Sequence, residues 1–85
     1  MFKIEYSKRS LKSLKSLPKK AQEKLIKTIE DLKTEPFSGK KLQGPFIGLY
    51  SLRVWPYRVI YMVKKKEILI LILYIGHWQG IYKNV

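Results

Sequence analysis

Three strand-like runs follow one another in the C-terminal half of the sequence with only short connections between them. They cover residues 49–54, 57–63 and 67–75, and each is rich in β-branched and aromatic residues. The connections, residues 55–56 and 64–66, are too short for a crossover, so consecutive strands must pair as antiparallel hairpins. The sequence therefore predicts a C-terminal antiparallel β-meander, and the rest of the chain must pack against it.

The first third of the sequence predicts one strand and then two helices. Apolar and charged residues alternate over residues 2–6, the pattern of a strand with one face on a core. Ser7 stands where a helix N-cap is expected, and leucines at helical spacing predict a helix over residues 8–16. Pro18 suits the first turn of a second helix, which the apolar spacing extends to about Lys33.

Residues 34–48 contain two of the four prolines and three of the five glycines and have no sustained period, so a loop is expected. The predicted fold is α+β, with an N-terminal strand, a two-helix hairpin and the C-terminal antiparallel β-meander. Two layers, with the helices on one face of a twisted antiparallel sheet, bury both apolar surfaces. At 85 residues, the chain is expected to form a single domain over residues 1–85.

The charge balance points to a polyanionic partner. Eighteen Lys and Arg against six Asp and Glu give a net charge of +12, more than solubility requires. There is no cysteine and one histidine, so we expect no metal site, and no cofactor motif is present. No apolar run is long enough to span a bilayer, so a cytoplasmic protein without membrane association is expected.

The polar groups that could support chemistry lie in the meander and after it. Arg53 and Arg58 flank the connection at residues 55–56, so a hairpin brings them together near one end of the sheet, where both could face one phosphate. His77 and Tyr82 follow the third run. On these residues alone, solvated arginines, a histidine without function and a packing tyrosine are equally admissible.

The order of these residues resembles the C-terminal signature of the RelE/ParE toxin superfamily. The sequence reads GLYSLRVWPYRVIY over residues 48–61, then IGH over 75–77, then Tyr82. Members of the superfamily commonly have a Tyr-x-Leu-Arg strand, a Gly-Asp turn, Tyr-Arg-Val-Ile-Tyr, and a closing Gly-His-Arg with a tyrosine. The predicted order of strand, two helices and meander is also the order of that superfamily, so the resemblance spans the whole chain.

The resemblance implies the toxin of a type II toxin–antitoxin system: a metal-independent endoribonuclease that cleaves mRNA, often on the ribosome, and is neutralised by a cognate antitoxin. It assigns catalytic roles to Arg58, Arg53, His77 and Tyr82. Arg58 and Arg53 would stabilise the phosphate, and His77 would act as general base, since imidazole titrates near neutrality. From the charge, we expect the antitoxin to be acidic and to fold on binding.

Three departures from the superfamily pattern limit what can be transferred. Trp55-Pro56 replaces the usual turn, Trp78 stands where an arginine is common, and Ser51 occupies a position that carries a catalytic lysine in one branch. A mechanism that depends on that lysine does not apply here. The residues expected to bind RNA are Lys40, Lys41, Trp78, Lys83, Lys8 and Arg9.

Two other functions remain open on the sequence alone. The gyrase-inhibiting branch of the same superfamily acts by binding a protein and has no nuclease site. A plain nucleic-acid-binding module would rely on its basic surface, and no single residue would be indispensable.

Overall fold

The computed structural model describes residues 1–80, in which two helices cover one face of a five-stranded sheet. The elements are β1 Lys3–Tyr6, α1 Lys8–Lys15, α2 Lys19–Glu30, β2 Lys40–Lys41, β3 Tyr50–Val54, β4 Tyr57–Lys64 and β5 Leu69–His77, with 3-10 turns at Asp31–Lys33 and Gly44–Phe46. The strand order is β1-β5-β4-β3-β2. The predicted α+β fold with its helical pair and C-terminal meander is confirmed. Neither helix in the described range is long and apolar enough to cross a membrane.

Helix α1 begins where the sequence predicts it and is fixed to the sheet by two serines. The Ser7 hydroxyl accepts a hydrogen bond from the Ser10 backbone N–H at 3.1 Å and donates one to the Leu73 carbonyl at 3.1 Å. The buried Ser10 hydroxyl donates to the Ile72 carbonyl at 3.0 Å. The N-terminal turn of α1 therefore lies against the edge of β5, beyond the end of β1.

The sheet is mixed, whereas the sequence predicted an antiparallel one. β1 pairs in parallel with β5, with Lys3 opposite Leu69 and Tyr6 opposite Ile72. The helical pair carries the chain away from β1, and the meander leaves the outer edge of β5 open. β1 occupies that edge and packs its apolar residues against the helix-side core, which includes the fully buried Leu25 and Ile29 of α2.

The segment predicted as a loop, residues 34–48, contains the short strand β2, which pairs with β3. It is held on the sheet by buried Tyr61, whose hydroxyl donates to the Pro36 carbonyl at 2.9 Å and accepts from the Gly39 N–H at 3.0 Å. A Cβ at position 39 would lie 2.5 Å from that hydroxyl, so the close approach requires glycine. Burial raises the pKa of Tyr61, and the hydrogen bond from Gly39 opposes part of this shift.

Tyr61→Phe should lower the free energy of unfolding by about 1–2 kcal/mol, since two backbone groups of the segment lose their partner while the buried ring stays. Urea denaturation measures this change. Tyr50→Phe is the matched control, because it removes a hydroxyl from the ring that stacks on Tyr61 with centroids 5.4 Å apart. Equal stability of the Tyr61→Phe variant and the unaltered protein would show that Tyr61 does not anchor the segment.

A β-bulge divides β5 into two parts. Ile60 pairs with Tyr74 and Tyr61 pairs with Ile72, so Leu73 is an extra residue in β5. A single extra residue exchanges the two faces for every residue that follows it. Ile72 and Ile75 therefore both join the helix-side core, while Tyr74 packs with Ile60 on the opposite face.

Candidate functional site

A pocket of about 390 Å³ opens on the sheet face opposite the helices, which we call the open face. It lies beside the end of β3 and the start of β4, and β2 and the residues before it form its wall. Its lining residues are Ser38, Gly39, Lys40, Ser51, Leu52, Arg53 and Arg58. Three of the seven carry a positive charge, and we call this site the cation pocket.

Two of the three cations come from the first hairpin of the meander. Residues 55–56 form its turn, and Arg53 lies directly opposite Arg58, so the two arginines lie on neighbouring strands at the same end of the sheet, as predicted. Arg58 is half-buried, and its guanidinium donates a long hydrogen bond of 3.4 Å to the hydroxyl of Ser51, which is 2% exposed. A guanidinium that lies on a strand and is hydrogen-bonded to a buried serine has less conformational freedom than one at the tip of a loop.

The third cation comes from the edge strand. Lys40 on β2 pairs with Ser51, and directly opposed residues share a face of the sheet, so Lys40 lies on the open face as well. The ion pairs found in residues 1–80 are Lys33–Glu30 and Lys64–Glu67, neither of which is in this pocket. Three positive charges without a carboxylate partner among the described residues repel one another, so an anion bound here would be stabilised.

Arg9 extends the positive surface along the open face. Its guanidinium lies over the Tyr74 ring, 4.3 Å from the centroid, and Tyr74 is next to Ile60 in the sheet. Lys8 is exposed on the same helix, α1. Trp78 lies just beyond β5 and stacks on Trp55 with centroids 5.6 Å apart. None of these three predicted RNA-binding residues lines the cation pocket.

Lys41 lies apart from the other predicted RNA-binding residues. It pairs with Tyr50, which packs on the helix-side core, so the side chain faces the other way from Lys40. Lys41 lines a separate, more apolar pocket of about 570 Å³ with Phe37 and Val63. Although this pocket is larger, it lies away from Arg53 and Arg58, and the only acidic residue among its lining residues is Glu67.

His77 is not brought onto the same face as Arg58. His77 pairs with Tyr57, whose ring packs on the helix-side core, so His77 lies on that side of the sheet. Arg58, the next residue of β4, pairs with Gly76 and lies on the open face. The imidazole lies edge-on to the Tyr57 ring at 6.4 Å, and its Nδ1 accepts a hydrogen bond from the Gln79 N–H at 3.3 Å. Two further predicted residues, Tyr82 and Lys83, lie outside the described residues.

The arrangement is suited to binding phosphate. Arginine can donate two parallel hydrogen bonds to phosphate oxygens, and lysine adds a point charge. Within residues 1–80, no group of three or more His, Cys, Asp or Glu side chains is placed to hold a metal ion. The sequence predicted Lys40 on a loop and did not predict its position beside Arg53 and Arg58. Strand β2 consists of two lysines and has no alternation of apolar and polar residues, so no sequence pattern indicated a strand there.

Comparisons with known proteins agree on one family. Residues 4–82 match the family model described as "ParE toxin of type II toxin-antitoxin system, parDE". A RelE1 protein of Methanocaldococcus jannaschii is 39% identical over 88 residues, which cover 98% of this chain and 97% of that protein. The archaeal RelE–RelB complex of Pyrococcus horikoshii contains a chain 33% identical to this one, with a TM-score of 0.76 and coverage of 89% and 93%.

A third match concerns the fold alone. A chain of the RelBE2 toxin–antitoxin complex of Mycobacterium tuberculosis superposes with a TM-score of 0.83, over 89% of this chain and 96% of that one, at 24% sequence identity. The two chains therefore share the order and packing of their helices and strands, although about three quarters of the aligned residues differ.

Proposed function

The chain belongs to the family of type II toxin–antitoxin toxins that includes ParE and RelE proteins, and we propose that it is an endoribonuclease that cleaves mRNA. The observation that best supports the proposal is the cation pocket. Lys40, Arg53 and Arg58 surround a space of about 390 Å³ that can receive a phosphodiester.

The proposed reaction uses the substrate's own 2′-hydroxyl as nucleophile. The 2′-oxygen attacks the adjacent phosphorus, the bond to the 5′-oxygen breaks, and the products are a 2′,3′-cyclic phosphate and a free 5′-hydroxyl. Negative charge grows on the non-bridging oxygens as the phosphorus becomes five-coordinate. Preorganised cations stabilise this charge more in the transition state than in the ground state, and this differential is what accelerates the reaction.

Arg58 is assigned the largest share of charge stabilisation because the Ser51 hydroxyl restricts its guanidinium. Arg53 and Lys40 are exposed, and they bind the non-bridging oxygens of the phosphate alongside Arg58. Proton transfer is assigned to His77 and Tyr82, as the superfamily resemblance implies. Because the imidazole of His77 lies on the helix side, this assignment requires the 2′-oxygen to lie at the end of the sheet, beyond Gly76.

The proposed partners follow from charge and from the matched complexes. The relatives from Pyrococcus horikoshii and Mycobacterium tuberculosis were solved as toxin–antitoxin complexes. We propose that this chain likewise binds a cognate antitoxin, and that the antitoxin is acidic, folds on binding and covers the cation pocket. Ribosome-bound mRNA is the proposed substrate, and the net charge of +12 supplies long-range attraction to it.

A site-specific 2′-deoxy substitution tests the reaction. The purified protein is assayed on a single-stranded RNA both free and bound to ribosomes, and we expect cleavage to leave a 2′,3′-cyclic phosphate. The same oligonucleotide with one 2′-deoxy nucleotide at the cleaved position should not be cut there, because the nucleophile is missing. Gel electrophoresis and mass spectrometry of the fragments measure both outcomes. Cleavage at the 2′-deoxy position would contradict the mechanism.

Inhibition of DNA gyrase, which the superfamily resemblance implies for ParE-like members, is the second candidate, because the matching family model is the one described for ParE toxins. Under this alternative, the protein would bind gyrase and would have no nuclease activity. A supercoiling assay separates the two functions. Inhibition of purified gyrase, together with no cleavage of free or ribosome-bound RNA, would replace the nuclease proposal by this one.

A further inference from the structure

Two exposed tryptophans stack on each other at the end of the sheet. The Trp55 and Trp78 rings have centroids 5.6 Å apart and planes inclined by 26°, and we call the pair the tryptophan stack. The Trp78 backbone N–H donates to the Pro56 carbonyl at 3.0 Å, which ties the end of β5 to the turn between β3 and β4. Despite the stacking, Trp55 is 55% exposed and Trp78 is 38% exposed.

The tryptophan stack does not complete the hydrophobic core. Neither ring belongs to the two clusters of buried residues or to the partly buried residues that pack on them. Large aromatic rings left in water at a fixed position lose the benefit of burial, and such exposed apolar surface usually marks a binding site. The two rings are already ordered against each other, so a flat ligand would find a preformed surface.

Arg53 connects the tryptophan stack to the cation pocket. Its guanidinium carbon lies 5.5 Å from the centroid of the Trp55 ring, and its Cα is directly opposite that of Arg58. A flat π-surface and a phosphate-binding pocket are thus joined by one arginine. A nucleic-acid strand has the matching arrangement, because each charged phosphate lies next to a flat base.

We propose that the tryptophan stack is a platform for one unpaired nucleobase of single-stranded RNA, next to the phosphate held in the cation pocket. This inference rests on the proposed function and deepens it: the platform selects an unstacked nucleotide and fixes which phosphate enters the pocket. A duplex is excluded from the platform because its bases are already stacked and paired. Every base has a π-face, so the platform distinguishes unpaired from paired RNA more than it distinguishes bases.

Both tryptophans of the chain belong to this stack, so tryptophan fluorescence reports on it alone. The probe is an eight-nucleotide 2′-O-methyl RNA, which cannot be cleaved by attack of its own 2′-oxygen. We expect titration to quench the fluorescence. A matched oligonucleotide with one abasic site at the stacking position keeps the phosphate charge, and it should bind about 10-fold more weakly and quench less.

Trp55→Leu provides the second arm of the experiment. It should weaken binding of the intact oligonucleotide by about 10-fold and leave binding of the abasic one nearly unchanged. Trp55→Phe retains a ring and should recover part of the affinity, measured by anisotropy of a labelled oligonucleotide. Because Trp55 is an exposed turn residue, these variants should fold, and circular dichroism checks this.

Equal affinities of the folded protein for the intact and abasic oligonucleotides would overturn the platform. A Trp55→Leu variant that binds both as tightly as the unaltered protein would do the same. Loss of binding to an antitoxin peptide in Trp55→Leu, with RNA binding unchanged, would assign the surface to a protein partner instead. If binding depends on Trp55 but no RNA is ever cut, the platform stands and the nuclease proposal fails.

Discussion

Replacing Arg58 by alanine is expected to reduce the rate of RNA cleavage by roughly 10²-fold or more while the protein stays folded. Removal of one preorganised donor to a developing oxyanion typically costs this much in other enzymes. The effect on stability should be small, within about 1 kcal/mol, since Arg58 is half-buried on the open face and makes one long hydrogen bond there. Cleavage kinetics and urea denaturation of the same sample measure the two effects separately.

One control variant and one comparison within the proposed site make this result specific. Lys24→Ala removes the same unit of charge from an exposed position on α2, so it should change cleavage only through weaker long-range attraction. His77→Ala should reduce the rate less than Arg58→Ala, because the bulge turns His77 to the other face. A folded Arg58→Ala variant that cuts RNA at the unaltered rate would refute the assignment of Arg58, even if other variants were inactive.

Binding of the cognate antitoxin is expected to stabilise the purified toxin by about 4 kcal/mol when the free antitoxin is at 1,000 times its Kd. In cells, expression of the toxin alone should stop growth, and co-expression of the antitoxin should restore it. The physical reason is the uncompensated charge of the toxin, since an acidic chain neutralises the cation pocket and excludes RNA. Thermal denaturation over a series of antitoxin concentrations measures the stabilisation.

The salt dependence of this association provides the control. Electrostatic steering makes the association rate fall steeply as ionic strength rises, while the dissociation rate changes less. Stopped-flow mixing at two salt concentrations separates the two rates. A folded and well-expressed toxin that leaves growth unaffected would contradict the proposed cellular action, and an association rate independent of salt would contradict the role of charge.

Local patterns were sufficient to predict most of the elements. The cap at Ser7 and the bounds of α1 follow from side-chain chemistry within one turn of helix. The pairing of Arg53 with Arg58 follows from the two-residue connection, because so short a turn allows very few registers. These features depend on neighbours in the sequence, and a single sequence contains that information.

Pairings between distant segments were not predictable in the same way. Nothing near residues 3–6 specifies that β1 lies in parallel beside β5, because that choice depends on which sheet edge the helices leave open. β2 is similar, since two lysines form a strand only because Tyr61 and Gly39 bring the segment against β3. The position of Lys40 in the cation pocket therefore required the structure.

The bulge at Leu73 had the largest consequence for the site. A regular β5 would place His77 on the opposite face from Ile70 and Ile72, which is the face of Arg58. The extra residue reverses this and turns His77 toward Tyr57. A run of apolar residues has no local signal for one unpaired residue, so the strand could be predicted but not the face on which it ends.

The parallel pairing of β1 with β5 also fixes when the fold can be completed during synthesis. Lys3 is synthesised early, but its partner Leu69 is added only after most of the described chain has been made. Until then, β1 and α1 lack the strand against which they dock, and β4 has an open edge. Contacts between such distant residues form late and slowly. A nascent chain without β5 therefore cannot present the finished sheet, so the open face and its cation pocket are complete only after β5 has been made.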